Sequence, residues 1–202
     1  MPESPRTSRA GRVAGRGDVV LDELLELFLA EGFLAFGVAE LAARLRCSKS
    51  TLYAVAPSKE QIIVAVVRAW FRHSTARIEQ RLDASRGADR IAAYLEAISD
   101  ELSPATPAFF ADLDAFAPAR EIYRQNTHIA AGRVQQLVRE AHVEGGPGVD
   151  ATFVGVVAGQ VMESIQRGEL AASTGLDDSA AYRALADLIV AGIAGRTERK
   201  SP

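Results

Sequence analysis

The sequence is poor in several residue types on which particular functions depend. It contains one cysteine, which excludes an intrachain disulfide, and no Cys/His cluster has the spacing of a zinc site. The longest run without a charged residue covers residues 151–162, which is too short to span a bilayer. The Arg-rich N-terminus lacks the apolar segment of a secretion signal. We therefore expect a cytoplasmic protein without a metal, a cofactor or a membrane partner.

Sequence signatures of common enzymes are also missing. His73, His128 and His142 have neither H-x-x-x-H spacing nor triad-like partners, and the chain has no nucleophile-elbow or Walker sequence. The glycine-rich segment 145–148 follows a predicted helix rather than a strand, which argues against a phosphate-binding loop. We expect a protein that is not an enzyme and has no catalytic residues.

Residues that favour helices are abundant instead. Hydrophobic residues make up 48% and charged residues 24% of the chain, as in ordinary globular proteins. Runs of β-branched residues are few, and apolar residues recur at helical spacing. This pattern predicts an all-α protein of about nine helices, with three helices near the N-terminus followed by a larger helical part.

The most informative stretch predicts two short helices joined by a tight turn. Gly32 is placed to end a first helix with a left-handed backbone, and Gly37 is placed to cap the second. After a turn at Arg46, Ser48 can cap the third helix, and Pro57 ends it. Two short helices joined in this way form a helix-turn-helix, whose second helix enters the major groove of DNA.

Three sequence blocks within this stretch have a distinctive spacing. They are G-F-x-x-F-G-V-x-x-L-A from Gly32, C-S-K-S-T-L-Y from Cys47 and P-S-K-E-Q-I from Pro57. Together they resemble the TetR family of transcriptional regulators. The resemblance implies that the three helices near the N-terminus are a helix-turn-helix head and that the larger helical part is a regulatory domain. It also implies a homodimeric repressor that a small-molecule effector releases from a palindromic operator in double-stranded DNA.

Two departures from the family pattern leave a second class of function open. The family usually has glycine where this chain has Arg46, and a positive φ there would cost on the order of 1 kcal/mol. It usually has an aromatic residue at the position of Ala56, where this chain lacks an anchor beneath the recognition helix. The alternative is therefore a helical interaction or ligand-binding protein with a degenerate DNA-binding head.

Candidate DNA contacts lie on the outward side of the predicted recognition helix and at the start of the next helix. Lysines supply charge for phosphates, and hydroxyl groups supply hydrogen bonds. The net charge of −3 is unfavourable for nucleic acid, but the basic residues cluster in this region, which predicts a basic face on an acidic body. The DNA-binding candidates are Lys49, Ser50, Thr51, Tyr53, Ala54 and Lys59.

The sequence divides into three segments. Residues 1–17 are expected to form a flexible Arg-rich arm, which is either a disordered tail or a contact to the DNA minor groove. Residues 18–57 are expected to form the DNA-binding domain, and residues 58–202 the domain for ligand binding and dimerisation. A long helix from Ser58 to about Leu82 would join the two domains.

The fourth to seventh predicted helices carry aromatic residues that we expect to meet in one layer. Most of them would be ordinary core, but a mainly apolar pocket with a few polar groups would suit a small effector. The ligand-binding candidates are Trp70, Tyr94, Phe109, Phe110, Phe116, Tyr123, Asn126 and His128.

The last two predicted helices carry small residues at helical spacing. In the resembled family these helices pair with their copies in a second subunit, whereas the alternative is a core helix within one chain. The candidates for the dimer interface are Gly155, Ala158, Gly159, Met162, Leu185 and Leu188.

Overall fold

The computed structural model describes residues 8–87, 89–143 and 150–197. Every regular element in these ranges is an α-helix, which confirms the predicted fold class. None of the helices described is long and apolar enough to cross a membrane. The ten helices are α1 (Ser8–Glu31), α2 (Val38–Arg44), α3 (Lys49–Val55), α4 (Lys59–Leu82), α5 (Asp89–Leu102), α6 (Pro107–Ala115), α7 (Ala117–Val143), α8 (Ala151–Gln166), α9 (Glu169–Thr174) and α10 (Asp178–Thr197).

The chain forms two compact units, and the first is discontinuous in sequence. It combines the described residues up to Trp70 with the segment Thr106–Ala119, so that α6 belongs with α1, α2, α3 and the first half of α4. The second unit contains Phe71–Ala105 and the described residues from Arg120 onward.

Helix α1 is longer than the sequence predicted. It begins at Ser8, whereas residues 8–17 were expected to belong to the flexible arm. This segment has no hydrophobic periodicity and contains three glycines, which disfavour a helix, but its arginines and alanines favour one, and a helix already formed downstream extends at one hydrogen bond per added residue. Residues 1–7 of the predicted arm lie outside the described residues, as does the glycine-rich break at residues 145–148.

The core of the first unit forms around the end of α1. Leu24 and Phe28 lie one turn apart and are fully buried. Gly32 ends the helix with a φ of 78°, as predicted. The ring of Phe33 then packs back against Phe28 at a centroid distance of 5.5 Å and meets Phe109 of α6 edge-on at 5.8 Å. The apolar end of α1 is therefore closed by α6.

A carboxylate of α6 holds the connection between α1 and α2. Asp112 Oδ2 accepts hydrogen bonds from the amides of Phe33 at 2.5 Å and Leu34 at 2.8 Å. A Cβ atom on Gly32 would lie 2.7 Å from the same oxygen and 3.3 Å from the backbone carbonyl oxygen of Ala108, and the positive φ would strain any other residue, so this position favours glycine. Helix α6 thus fixes the point at which the chain leaves α1 and enters α2.

The second unit contains one helix that the sequence did not predict. Gly168 and Gly175, with φ values of 69° and 74°, lie on either side of the six-residue helix α9. This helix has no buried residue and therefore no apolar periodicity from which it could be predicted. Elsewhere in the unit α5 packs against α10, and the buried Ser99 hydroxyl donates to the carbonyl oxygen of Ser179 at 2.9 Å.

Candidate functional site

Helices α2 and α3 have the predicted helix-turn-helix boundaries. Gly37 has the extended backbone of an N-cap before α2. The Ser48 hydroxyl accepts a hydrogen bond from the Thr51 amide at 3.1 Å and caps α3. Ala56, directly before Pro57, is extended and ends α3. Because each of these signals is local in sequence, the head could be placed before the structure was known.

One side of α3 is buried and the other is exposed. Leu52 is fully buried, and α3 packs against α1 and α2. The candidates Lys49, Ser50, Tyr53 and Ala54 are exposed, and Thr51 is half-buried. Nothing in the first unit as described covers these side chains, so they are accessible to a DNA groove.

The hydroxyl groups at the start of α3 form a cluster. Ser48 Oγ lies 2.7 Å from Ser50 Oγ and 2.8 Å from Thr51 Oγ1. These hydrogen bonds orient the two candidate contacts before any DNA binds. The N-cap residue Ser48 and the candidate DNA contacts Ser50 and Thr51 are therefore joined in one hydrogen-bond network.

Lys59 has a structural contact that the sequence did not reveal. Its Nζ donates to the carbonyl oxygen of Leu34 at 2.8 Å, and thereby ties the start of α4 to the connection between α1 and α2. An ammonium group has three donors, so two remain for a phosphate. No sequence signal links Lys59 to a residue so far away, and only the folded head brings them together.

Two arginines, one at the end of α2 and one in the turn before α3, have different surroundings. The Arg44 guanidinium forms an ion pair with Glu31 and lies over the Phe36 ring, 5.5 Å from its centroid. Arg46 is exposed and has the predicted positive φ, at 49°. A surface cavity of about 420 Å³ beside this turn is lined by Glu23, Glu26, Leu27, Arg44, Leu45 and Arg46.

The ligand-binding candidates are distributed over both units. Trp70 and Phe109 are buried in the first unit, with ring centroids 5.0 Å apart and edge to face. Phe110 and Phe116 of the same unit are half-buried. These four rings therefore pack around the end of α1 and within α6, rather than standing in a single layer of the regulatory domain.

The remaining candidates lie in the second unit. Tyr94 and Tyr123 are buried, and Phe71 stacks on Tyr123 at 5.6 Å between centroids. Asn126 donates its side-chain amide to the Ile122 carbonyl of its own helix at 2.8 Å.

The expectation that His128 points inward is wrong, because this residue is exposed. The buried side of α7 there carries Tyr123 and Thr127, and the next residue lies about 100° further round the helix.

Several polar groups enter the interior of the second unit, and two of them, Tyr182 and Asp178, were not singled out from the sequence. Burial raises the pKa of Tyr182 and of Tyr94. Burial also raises the pKa of Tyr123, and the nearby Tyr182 and Asp178 raise it further. The phenols therefore stay protonated at neutral pH, so that each hydroxyl keeps a proton with which it can donate a hydrogen bond. Burial raises the pKa of the Asp178 carboxyl as well, with Asp177 adding to the effect.

The small residues of α8 pack against α7 of the same chain. A Cβ atom on Gly155 would lie 2.7 Å from Gln135 Cβ, and one on Gly159 would lie 3.2 Å from Ala131 Cβ. The glycines were expected to face a second subunit. They instead let two helices of one protomer approach closely, because α7 carries the side chains that fill the space above them.

Three further interface candidates are also buried within the protomer, whereas several large apolar side chains are exposed on its surface. Ala158, Met162 and Leu185 are buried. Leu188, the sixth candidate, is 67% exposed. On α8, Phe153 is 67% exposed and Val156 is 56% exposed. The surface available to a partner is therefore formed by larger side chains than the sequence indicated.

A capped helix with one exposed side, packed on α1 and α2, is the arrangement found in helix-turn-helix DNA-binding heads. Residues 20–66 match the family model of bacterial regulatory proteins of the tetR family. The match covers the helix-turn-helix head and the start of α4, so this part of the chain is similar to the DNA-binding domain of those transcriptional regulators. Within the described ranges, no group of three or more His, Cys, Asp or Glu side chains is arranged to hold a metal ion.

Solved structures with this fold span almost the whole chain. A candidate transcriptional regulator from Saccharomonospora viridis in complex with choline is 16% identical, with a TM-score of 0.69 over 87% of this chain and 96% of that one. A TetR-family regulator from Streptomyces coelicolor is 20% identical, with a TM-score of 0.63 over 100% and 98% of the two chains. One from Thermus thermophilus is 21% identical, with a TM-score of 0.58 over 85% and 96%. These similarities show a shared fold, and no curated protein sequence matches the chain.

Proposed function

We propose that the protein is a homodimeric repressor, located in the cytoplasm, which a small-molecule effector releases from a palindromic operator. Operator binding is supported most directly by α3, which has one buried and one exposed face. Leu52 is buried, and Lys49 and Tyr53 are exposed. Two such heads related by a two-fold axis would address half-sites about 34–36 Å apart, or a multiple of that spacing. We assign DNA binding to residues 18–57, and ligand binding and dimerisation to residues 58–202.

The side chains of α3 suit different parts of the DNA. Lys49 binds a phosphate, and Thr51 reads a base edge from the half-buried position that its hydrogen bond to Ser48 fixes. Ser50 and Ala54 lie close to the groove. Tyr53, which is 47% exposed, reaches a phosphate with its hydroxyl group.

The partner in dimerisation is a second copy of the chain. Phe153, Val156 and Leu188 are three of the large apolar side chains that the described surface exposes, and they lie on α8 and α10, which pack together. A two-fold axis through this surface lets each side chain meet apolar groups of the other copy. The buried candidates Gly155, Ala158 and Met162 support the interface from within each protomer.

The effector is a small, largely apolar molecule that binds in the second unit. The buried rings of Tyr94 and Tyr123 and the half-buried ring of Phe71 supply apolar surface there, and the protonated hydroxyl of Tyr182 supplies a polar contact. The complex of the Saccharomonospora viridis protein with choline supports a small effector for this fold. His128 is no longer a candidate contact, since it is exposed.

Such an effector releases DNA only if it binds one conformation of the regulator more tightly than the other. Coupling of about 1–3 kcal/mol would lower operator affinity about 5–150-fold, and DNA would weaken effector binding by the same factor. Calorimetric titration of the effector, with and without operator DNA, measures how much DNA weakens effector binding. Titration of operator DNA, with and without the effector, measures how much the effector weakens DNA binding. A ligand with equal affinity in the presence and absence of operator DNA is not the effector.

The DNA-binding proposal is tested with DNA from upstream of the protein's own gene in a gel-shift assay. We expect the wild type to shift this DNA and Thr51→Ala to shift it less, while Arg139→Ala, which removes an exposed arginine of α7, binds like the wild type. If the wild type binds neither this fragment nor other DNA, the chain is the alternative, a helical ligand-binding or interaction protein with a degenerate head.

A further inference from the structure

One arginine in the head has a backbone conformation that glycine normally adopts. Arg46 has a φ of 49° and is the only non-glycine residue with a positive φ in the part of the chain that the structure describes. An L-residue is strained in this region, whereas glycine is not. Such strain is retained mainly at functional sites, where the side chain does something that glycine cannot.

The turn itself does not need the arginine side chain. It is closed by backbone hydrogen bonds, from the Arg46 amide to the Ala43 carbonyl at 3.2 Å and from the Cys47 amide to the Ala42 carbonyl at 2.9 Å. The Arg46 side chain is exposed and forms no hydrogen bond or ion pair with any described residue. Glycine would therefore make the same turn with less strain.

The neighbouring arginine is in a different situation. Arg44 is held by its ion pair with Glu31 and by the ring of Phe36. The cavity beside the turn also brings the carboxylates of Glu23 and Glu26 near, yet neither forms an ion pair with Arg46. Of the two guanidinium groups in the turn region, that of Arg46 is the one available to an external anion.

The position of Arg46 identifies that anion. It lies two residues before Ser48, the cap of α3, and three before the exposed Lys49. In a helix-turn-helix the start of the recognition helix enters the groove, so the preceding turn lies beside the DNA backbone. Arginine is a common phosphate ligand in such complexes.

We propose that Arg46 contacts a DNA phosphate and that the head keeps a strained turn in order to present this guanidinium. The inference rests on the DNA-binding function of the head. Arg46 departs from the glycine that the family usually has at this position. The proposal is that this departure raises the affinity of the head for DNA.

Three variants test the proposal with a labelled DNA duplex of arbitrary sequence, since a phosphate contact acts on all sequences. Arg46→Gly removes both the charge and the strain, and Arg46→Ala removes the charge but keeps the strain. Arg139→Ala removes an exposed arginine of α7 and serves as the charge-matched control. Affinity is measured by fluorescence anisotropy between about 50 and 200 mM salt, and thermal stability is measured for each protein.

Both Arg46 variants should lose about one phosphate contact per bound head. For each bound head, the slope of log affinity against log salt then falls by about 0.9, and affinity at 0.1 M salt falls about eightfold. Arg139→Ala should keep the wild-type slope. Arg46→Gly should melt about 2–4 °C above Arg46→Ala, because only glycine relieves the strain.

The results separate this proposal from the function on which it rests. A wild type that binds no duplex overturns both. A wild type that binds, with unchanged slopes in the two Arg46 variants, overturns the phosphate contact alone. If Arg46→Gly melts no higher than Arg46→Ala, the claim that the turn is strained is wrong, and the proposal loses its structural basis.

Discussion

The two lysines that were expected to bind phosphates differ at the level of single contacts. Lys49 is exposed in the first turn of α3, whereas Lys59 is half-buried and bonded to the Leu34 carbonyl. A charge in contact with solvent contributes little to folding, but a half-buried carbonyl that loses its donor is destabilising. Two residues of one type at one surface therefore have different roles.

Alanine at each of these positions should give different results. Lys49→Ala should lower the salt slope of DNA binding by about 0.9 per head and leave the free energy of unfolding unchanged. Lys59→Ala should lower the free energy of unfolding by about 1 kcal/mol, because the Leu34 carbonyl loses its partner.

Urea denaturation and anisotropy titrations measure the two quantities. Equal stability of the two variants would show that the hydrogen bond of Lys59 contributes nothing to the fold. An unchanged salt slope for Lys49→Ala would remove Lys49 from the DNA contacts.

At the scale of secondary structure, α6 is the element that fixes the entry into α2. Thr106, at its N-terminus, donates from its amide and its hydroxyl to the Leu29 carbonyl at 2.9 and 3.0 Å. Asp112 holds the next two amides after Gly32. The direction in which α2 starts, and with it the orientation of α3, therefore depends on a helix from later in the chain.

Removing the carboxylate of α6 should affect both folding and DNA binding. Asp112→Ala leaves the half-buried amides of Phe33 and Leu34 without their acceptor, at a cost of about 1–3 kcal/mol in the free energy of unfolding. It should also weaken DNA binding under conditions where the variant remains folded. Glu96→Ala, which removes an exposed acid of α5, is the matched control. Wild-type stability of Asp112→Ala by urea denaturation would contradict the role given to α6.

An ion pair between α4 and α5 gives the second unit a dependence on pH. Arg77 donates two hydrogen bonds to Glu101, at 2.8 and 2.5 Å. Burial alone would raise the pKa of Glu101, but the hydrogen bonds from Arg77 and Ser74 and the charges of Arg77 and Arg81 outweigh it and hold this pKa below 4.5. The carboxylate therefore contributes stability above the unfolded pKa of 4.5, which is lost as the pH falls through the lower folded value.

Replacing this carboxylate should reveal the pH window. Glu101→Gln should be about 0.5–1 kcal/mol less stable than the wild type at neutral pH, and the difference should shrink as the pH falls below 4.5. Thermal melts over this range measure the difference. A constant difference at all pH values would show that packing, and not charge, is responsible.

The elements that could be predicted from the sequence are those whose signals lie within a few residues. The left-handed end at Gly32, the cap at Ser48 and the stop at Pro57 are of this kind. Contacts between distant residues were not accessible, and Asp112 and Phe33 are 79 positions apart. The same limit affected Gly155, since a small residue indicates a close helix but not whether that helix belongs to the same chain.

At the scale of the whole molecule, one set of α8 residues forms the proposed dimer surface and another set packs inside the protomer. Gly159 lies against Ala131, so Gly159→Arg should destabilise the protomer itself. Phe153 and Leu188 point away from the interior and are therefore the positions at which dimerisation can be tested separately from folding.

Charges on this surface should prevent dimerisation without unfolding the chain. We expect Phe153→Glu combined with Leu188→Glu to give a soluble, helical monomer in sedimentation experiments, because two carboxylates would be buried against the second copy. Ile129→Glu is the matched control, because Ile129 of α7 is 63% exposed but lies outside the surface formed by α8 and α10. A dimer that survives the double substitution would place the interface elsewhere.

The discontinuity of the first unit has a consequence for the exchange of modules between regulators, in the laboratory or by recombination. A crossover at residue 57 would transfer α1, α2 and α3 but leave behind Lys59, Trp70 and the segment Thr106–Ala119 with which they form one unit. The transferred head would then pack against the α6 of the recipient regulator, which evolved to fit the recipient's own α1. Chimeric regulators built on this chain should therefore carry α6 along with the head, and lineages that have exchanged heads should show matching changes at the positions of Gly32 and Asp112.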